Sequence, residues 1–274
     1  MLKRRIVQIT AAITTNSYFK GFLEGTVYKG KSKAFCVPGL NCYSCPGALG
    51  SCPIGAFQAV ANSAGFLVSY YLIGFFLIIG TLLGRFVCGW LCPFGLIQEV
   101  LYKIPGRKIH LPRQLHFLKY FKYLVLLIFV IYIPVFVTNT WGIGYPAFCK
   151  WICPAGTLEA GIPLIIVNES IRSAVGALFT WKIAVLIFVI ILSVKLNRFF
   201  CKFMCPLGAI YAIFNKVSIF RLNINTHKCI KCGKCSSICK MDVSPFENPN
   251  SLECIRCGEC KKECPSSAIR LGLK

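Results

Sequence analysis

Hydropathy divides the chain in two near residue 220. Before that point apolar residues run in long stretches separated by short polar segments; after it they are scattered. Residues 65–84 and 123–142 carry no charge over the roughly 20 residues that a helix needs to cross a bilayer. Residues 179–196 form a third such stretch, with Lys182 and Lys195 near its ends, where long side chains snorkel to the interface. Trp141 and Trp181 suit interfacial anchoring. Residues 6–23 form a weaker fourth stretch, diluted by Gln8, Thr14, Thr15, Asn16, Ser17 and Lys20. It follows Lys3, Arg4 and Arg5 as a signal peptide would, yet shows no small-residue cleavage site, and so reads as an uncleaved helix. The expected fold is mainly α: a polytopic helical membrane domain over residues 1–220 with about four spans, and a small α+β domain over residues 221–274.

Charge changes this picture little. A formal net charge of +22 against nine acidic residues might suggest a nucleic-acid binder. The basic residues are instead spread along loops beside apolar stretches, where they set membrane orientation, so no nucleic acid is expected as a partner.

Cysteine changes the picture most. The small domain holds two runs, Cys229, Cys232, Cys235, Cys239 and Cys254, Cys257, Cys260, Cys264, each spaced C-x2-C-x2-C-x3-C, with Pro265 after the last. A [4Fe-4S] cube takes three thiolates from one such run and the fourth from the other. The pairing is therefore Cys229, Cys232, Cys235 with Cys264, and Cys254, Cys257, Cys260 with Cys239. Gly233 and Gly258 stand where the backbone must pass close to a cluster. Zinc sites use two C-x2-4-C pairs and do not fit this spacing.

The membrane domain repeats another motif. Cys-Pro-x-Gly begins at Cys52, Cys92, Cys153 and Cys205, and in three cases a cysteine precedes it by four residues: Cys88, Cys149 and Cys201. The first repeat is irregular and offers Cys36, Cys42 and Cys45 instead. Four occurrences make an internal repeat. Proline suits the first position of a helix, so the cysteine sits at a helix N-terminus, where backbone N–H groups favour a thiolate and an anionic cluster behind it. The glycine lets the backbone come close. A C-x3-C pair supplies two ligands, so two pairs must meet to hold one cube; the alternative is buried structural cysteines.

Span parity says which pairs can meet. Taking the first repeat as outer, Cys88 and Cys92 emerge on the inner face, Cys149 and Cys153 on the outer, and Cys201 and Cys205 on the inner. Cys88, Cys92, Cys201 and Cys205 then form an inner cluster. Cys52, Cys149, Cys153 and one of Cys36, Cys42 and Cys45 form an outer one, in a pseudo-inverted repeat. Seven Lys or Arg lie between Arg85 and Lys122, against only Lys150 and Arg172 between Gly144 and Arg172. The positive-inside rule places the Cys88 face and the C-terminal domain in the cytoplasm; Lys20, Lys29, Lys31 and Lys33 argue mildly against it. Eighteen cysteines make four clusters with two left over. Cys42 and Cys45, as C-x-x-C, are also readable as a redox dithiol.

These residues carry a resemblance. CGWLCP (88–93), CKWICP (149–154), CKFMCP (201–206) and the two C-terminal runs resemble membrane polyferredoxins of the NapH type, with relatives in the NosR and CcoG (RdxA) families. Residues 225–272 resemble bacterial two-cluster ferredoxins, departing from them at Lys240, where proline is usual. The resemblance implies electron movement between quinol, cytoplasmic donors and extracytoplasmic reductases. No flavin-attachment sequence or c-type haem motif is present. The three histidines, His110, His116 and His227, lie outside the spans, so no b haem is expected.

Position six after each Cys-Pro cysteine holds Gln58, Gln98, Glu159 and Tyr211. Glu159 or Glu99 could take protons in quinone chemistry; otherwise these are interfacial residues facing water. The expected function is transmembrane electron transfer from a cytoplasmic ferredoxin or other low-potential donor to an extracytoplasmic or membrane acceptor. The alternatives are a quinol/quinone oxidoreductase component and a copper-handling or cofactor-assembly factor using Cys36 and Cys42. No dinucleotide-binding glycine motif is present, so the chain reads as a relay and not a self-contained dehydrogenase. Clusters at opposite edges of a hydrocarbon core about 30 Å thick would be too far apart for one fast hop. The Cys-Pro helices must fold inward, or a partner or quinone must bridge them.

Overall fold

The computed structural model describes residues 2–61, 69–109, 113–140 and 143–273. Residues 65–68, His110, Trp141 and Gly142 lie outside the described residues. Among the described residues the chain is mainly helical, with one two-stranded sheet. Two of the described helices are long and apolar enough to cross a membrane, Leu115–Phe136 and Ala177–Lys195. The second matches its expected stretch to within two residues. The first begins eight residues before the uncharged stretch, because Lys119 and Lys122 turn inward. Lys119 donates to the carbonyls of Met241 and Asp242, and Lys122 pairs with Glu253. Among the described residues the expected span at 65–84 supplies the shorter helix Tyr70–Leu83.

The expected helix over residues 6–23 is two pieces, Leu2–Thr15 and Lys20–Glu24. The break has a local cause. Thr14, Thr15, Asn16 and Ser17 each turn a side chain back onto a carbonyl of the preceding turn, which competes with helix propagation. The first piece is inverted in its amphipathicity. Arg4 and Gln8 are buried, while Ile6, Ile9 and Ile13 are about half exposed. Leu115–Phe136 does the same, with Lys119 and Lys122 inside and Phe117, Phe121 and Leu127 outside. Polar side chains inward and apolar side chains outward suit a lipid-facing surface.

Three short π-helical segments interrupt the helices: Leu126–Tyr132, Phe148–Ile152 and Thr157–Gly161. Each is followed after one residue by proline: Pro134, Pro154 and Pro163. A proline ring collides with the carbonyl four residues back, and a widened turn moves that carbonyl away. The third segment contains Glu159 and so sets where that carboxylate points.

Near the C-terminus, strand β1 (Phe220–Ile224) pairs antiparallel with strand β2 (Ile269–Leu273), with Leu222 opposite Leu271. Between the strands lie two short helices, Lys234–Ser237 and Glu259–Lys262. Backbone conformation repeats across the two cysteine runs. Lys231 and Arg256, Gly233 and Gly258, and Asp242 and Ser267 form matched pairs with φ between 50° and 80°. Glycine meets that demand without strain; Lys231 and Arg256 do so at about 1 kcal/mol each. Lys240, where the sequence departs from the ferredoxin pattern, pairs with Glu99 and Glu259.

This C-terminal part docks onto the helical part through buried charge. Glu253 is met by Arg85 (2.7 Å) and Lys122. Glu99 is met by Arg4, Arg198 and Lys240, and Asp242 by Lys202. Arg256 donates to the carbonyls of Leu83 (3.0 Å) and Asn215 (2.7 Å), and Trp90 donates to Arg256 O (3.0 Å). Gly89 has no room for a Cβ because Ile255 O lies against it. Met241 and Ile255 share one hydrophobic core with Cys88, Cys92 and Phe200.

Burial pushes the Glu253 carboxyl up, but Arg85 and Lys122 outweigh it and hold it below the usual carboxylate range. Its contribution is complete above the unfolded value of about 4.3 and is lost as pH falls through the lower folded value. Glu253→Gln strands two cations that are 0% exposed and should cost about 3–5 kcal/mol. Hydrogen exchange should then speed up over residues 251–257 at neutral pH. Protection equal to the parent protein would show that these charges do not hold the docking.

Candidate metal centres

Cysteine side chains gather in four places. Cys229, Cys232, Cys235 and Cys264 line one cavity, and Cys239, Cys254, Cys257 and Cys260 line a second. The first lies at the periphery, where Cys232 is exposed. The second abuts the helical part, with Cys239 and Cys257 packed against the shared core.

In the helical part, Cys88, Cys92, Cys201 and Cys205 are all buried and lie within one another's electrostatic reach. Cys42, Cys52, Cys149 and Cys153 line a cavity of about 360 Å³. The first repeat thus contributes Cys42 beside Cys52. Cys36 and Cys45 do not line that cavity: Cys36 N donates to Tyr71 Oη (2.9 Å), and Cys45, though buried, is not in its wall. The structure therefore does not gather Cys36 with Cys42 there, as a copper site on that pair would need. All eighteen cysteines are free. Among the described residues, no three His, Cys, Asp or Glu side chains converge tightly enough for a single metal ion. The thiols ring cavities instead, which is how a polynuclear cluster is held.

The Cys-Pro-x-Gly motif has the same geometry four times over. Each cysteine precedes a helix that starts at the proline; the glycine N–H donates to the cysteine sulfur from Gly156 to Cys153 (3.4 Å) and from Gly208 to Cys205 (3.4 Å), and Gly55 and Gly95 hold the same place after Cys52 and Cys92. Burial pushes the Cys52 and Cys92 thiols up to about 12. Without metal they are neutral, and loading would release protons. The Asn41 amide is 1% exposed, lines the outer cavity and has neither polar atom bonded. A sulfide-bearing group in that cavity would supply an acceptor. Four thiols, aimed N–H groups and an unpartnered amide fit iron–sulfur clusters.

The inner set also has a symmetric device. Arg85 and Arg198 stand three residues before Cys88 and Cys201, and both are 0% exposed. Each crosses to the other half: Arg85 Nη2 donates to Cys201 O (3.3 Å) and Arg198 Nη1 to Cys88 O (2.6 Å). The signal in the sequence is R-x-x-C-x3-C-P, present twice at the inner repeats and absent from the outer ones.

Of the residues at position six, Gln58, Gln98 and Tyr211 are buried and Glu159 is half-buried. Gln98 Nε2 donates to Cys201 Sγ (3.1 Å), and Gln98 Oε1 accepts from Phe200 N (3.0 Å). Gln58 accepts from Cys149 N (3.3 Å), and Glu159 accepts from Cys42 N (2.7 Å). Tyr211 donates to Pro38 O (3.1 Å). The first three reach across to the other cysteine pair of their own set. Burial pushes the Glu159 carboxyl up to about 7. Burial also pushes Glu99 up, but Arg198, Arg4 and Lys240 outweigh it and hold it well below the usual range. Glu99 is a fixed charge and not a proton carrier at neutral pH.

A family model described as a 4Fe-4S binding domain matches residues 66–112, 123–162 and 178–226, and another of the same description matches residues 249–270. An uncharacterized protein of Methanocaldococcus jannaschii is 30% identical over 68% of this chain and 70% of its own length. The putative electron transport protein YccM of Escherichia coli is 28% identical over 60% of this chain and 43% of its own. The methylamine utilization ferredoxin-type protein MauN of Methylorubrum extorquens is 24% identical over 66% of this chain and 55% of its own. The chain thus spans about half the length of the latter two. No solved structure matches. The cysteine architecture, the matched domains and the relatives lead to one conclusion: the chain belongs to the 4Fe-4S polyferredoxin family of electron-transport proteins.

Proposed function

We propose that the chain carries electrons across a membrane through four [4Fe-4S] clusters. One observation supports this above the others: the cysteine sets form an unbroken series. The exposed set Cys229, Cys232, Cys235 and Cys264 is the port for a soluble, low-potential donor such as a ferredoxin. Gly233 and Gly258 open the tight turns that bring the two C-terminal sets together. Ile255, beside Cys254, rests on Gly89, and this contact leads from the second set to Cys88, Cys92, Cys201 and Cys205. Cys42, Cys52, Cys149 and Cys153 form the outer end, facing an extracytoplasmic or membrane acceptor. The Lys and Arg balance of the loops supports a cytoplasmic C-terminal part.

When bound, the clusters supply one-electron redox chemistry; the chain supplies ligands, charge and spacing. Arg85 and Arg198 offset anionic charge at the inner set, and Gly156 and Gly208 do so through N–H groups. Gln98 fixes Cys201 by holding both its sulfur and the neighbouring Phe200 N–H.

A second reading has its own observation. The outer cavity, at about 360 Å³, is much larger than the roughly 20 Å³ left at each C-terminal set. It leaves room beside a cluster for a small acceptor, a quinone among them, with Lys150 and Lys182 in its wall.

Three outcomes test these readings. Anaerobically purified protein should hold about sixteen iron and about sixteen sulfide; a value near eight would reduce it to a membrane-anchored ferredoxin. Cys88→Ser and Cys201→Ser should damage one and the same centre, and Cys149→Ser and Cys42→Ser a different one; loss of a common centre in Cys88→Ser and Cys149→Ser would break the grouping. In proteoliposomes, a reduced ferredoxin outside the Cys229 face should reduce an impermeant acceptor on the Cys149 face, and Cys153→Ser should abolish transfer while the C-terminal clusters still reduce. Transfer that requires added quinone would replace the first reading with the second.

A further inference from the structure

The first repeat is the irregular one, and the segment that makes it so runs between the two membrane sets. Leu40 shares one buried core with Cys92 of the inner set and Cys52 of the outer set. The next residue, Asn41, lines the outer cavity together with Cys52. Two adjacent residues therefore lie between the inner repeat and the outer cavity. Both residues are buried, at 2% and 1% exposed.

The segment is pinned at three further points. Gly39 lies flat on the inner repeat: a Cβ there would come within 3.0 Å of Cys92 Cα and 3.2 Å of Pro93 Cδ. Pro38 O accepts from Tyr211 Oη (3.1 Å). Tyr211 is 0% exposed and shares one buried core with Cys88 and Cys92 of the inner set and Cys52 of the outer set. Asn41 presents its unbonded amide to the outer cavity, and Cys42, the next residue, lines that cavity.

We propose that residues 38–42 are the electron bridge between the inner and outer sets, a proposal that rests on the electron-conduit reading above. The chain spans at most about 3.6 Å per residue, so Gly39, against Cys92, and Asn41, in the outer cavity wall, are no more than about 7 Å apart along the backbone. The hydrocarbon core is about 30 Å thick. The crossing therefore becomes a short hop inside the protein, with the rest of the distance covered by the cluster positions. One electron leaves the inner set and one enters the outer set; no bond forms or breaks and no proton moves. Tyr211 flanks this route through Pro38.

The test reads magnetism as well as rate. In dithionite-reduced parent protein, electron paramagnetic resonance should show the two membrane centres broadened or split by mutual interaction. Asn41→Pro fixes the backbone and removes the amide side chain where the stretch meets the outer cavity, and keeps every ligand. It should slow electron arrival at the outer centre by roughly tenfold, equivalent to about 1.4 kcal/mol on the barrier. Gly39→Ala, which lifts the segment from Cys92, should weaken the magnetic interaction with all iron retained. About sixteen iron with two magnetically isolated membrane centres in the parent protein would overturn the bridge and leave the conduit standing. So would parent-like transfer in an iron-replete Asn41→Pro protein. Iron near eight would overturn the conduit, and the bridge with it.

Discussion

A negatively charged cluster can occupy an apolar core only if fixed donors meet its charge, because no water is there to do so. That constraint accounts for much of this chain. It explains why proline follows the cysteine: the first free N–H groups of a new helix then point back at the sulfur. It explains why the fourth residue is glycine, whose N–H reaches that sulfur at Cys153 and Cys205. It also explains two arginines with no exposed surface, Arg85 and Arg198, which would be very costly if they faced nothing but hydrocarbon. The carboxylates that accompany them, Glu253 and Glu99, come from the docked C-terminal part and from the second Cys-Pro helix. The same charges thus tie the two parts of the chain together.

The inner and outer sets meet the constraint differently. The inner set is enclosed, with arginines crossing between its two halves and a glutamine on Cys201. The outer set opens into a cavity with lysines in its wall and Glu159 holding the Cys42 N–H. An enclosed centre exchanges electrons only with its neighbours in the chain, whereas an open one can meet something from outside.

Much of this was legible in the sequence, because ligand spacing and Cys-Pro-x-Gly are local signals whose chemistry is fixed by backbone geometry. The grouping of the sets followed from span parity, a coarse property that survives errors in helix ends. What was not legible depends on contacts distant in sequence. Cys42, Cys36 and Cys45 look alike until residues 38–42 are folded between two repeats. Gln58 and Gln98 look like interfacial residues until a second repeat faces them. Residues 6–23 look like a weak span because Arg4 and Gln8 dilute it, yet those two residues are the buried face and the isoleucines are the outer one. Hydropathy averages over both faces and cannot tell an inverted helix from a poor one. Arg85 and Arg198 left a readable trace, the arginine three residues before each inner C-x3-C-P, but only pairing the repeats reveals it.

The buried network around Glu99 also bears on the order of assembly. Arg4 pairs with Glu99 and approaches Glu259, and Lys240 joins the same two carboxylates. Arg4 is synthesised first, Glu99 next, and Lys240 and Glu259 nearly last. The network therefore stays open on the ribosome until the final segment arrives. During that interval the inner cysteines are not yet roofed by Ile255 and Met241, and cluster delivery has an unobstructed approach. Once the C-terminal part docks, its ion pairs close over a loaded site. A chain that docks before loading would bury four unloaded cysteines behind the same latch, so the timing of docking relative to metal delivery becomes a checkpoint in biogenesis.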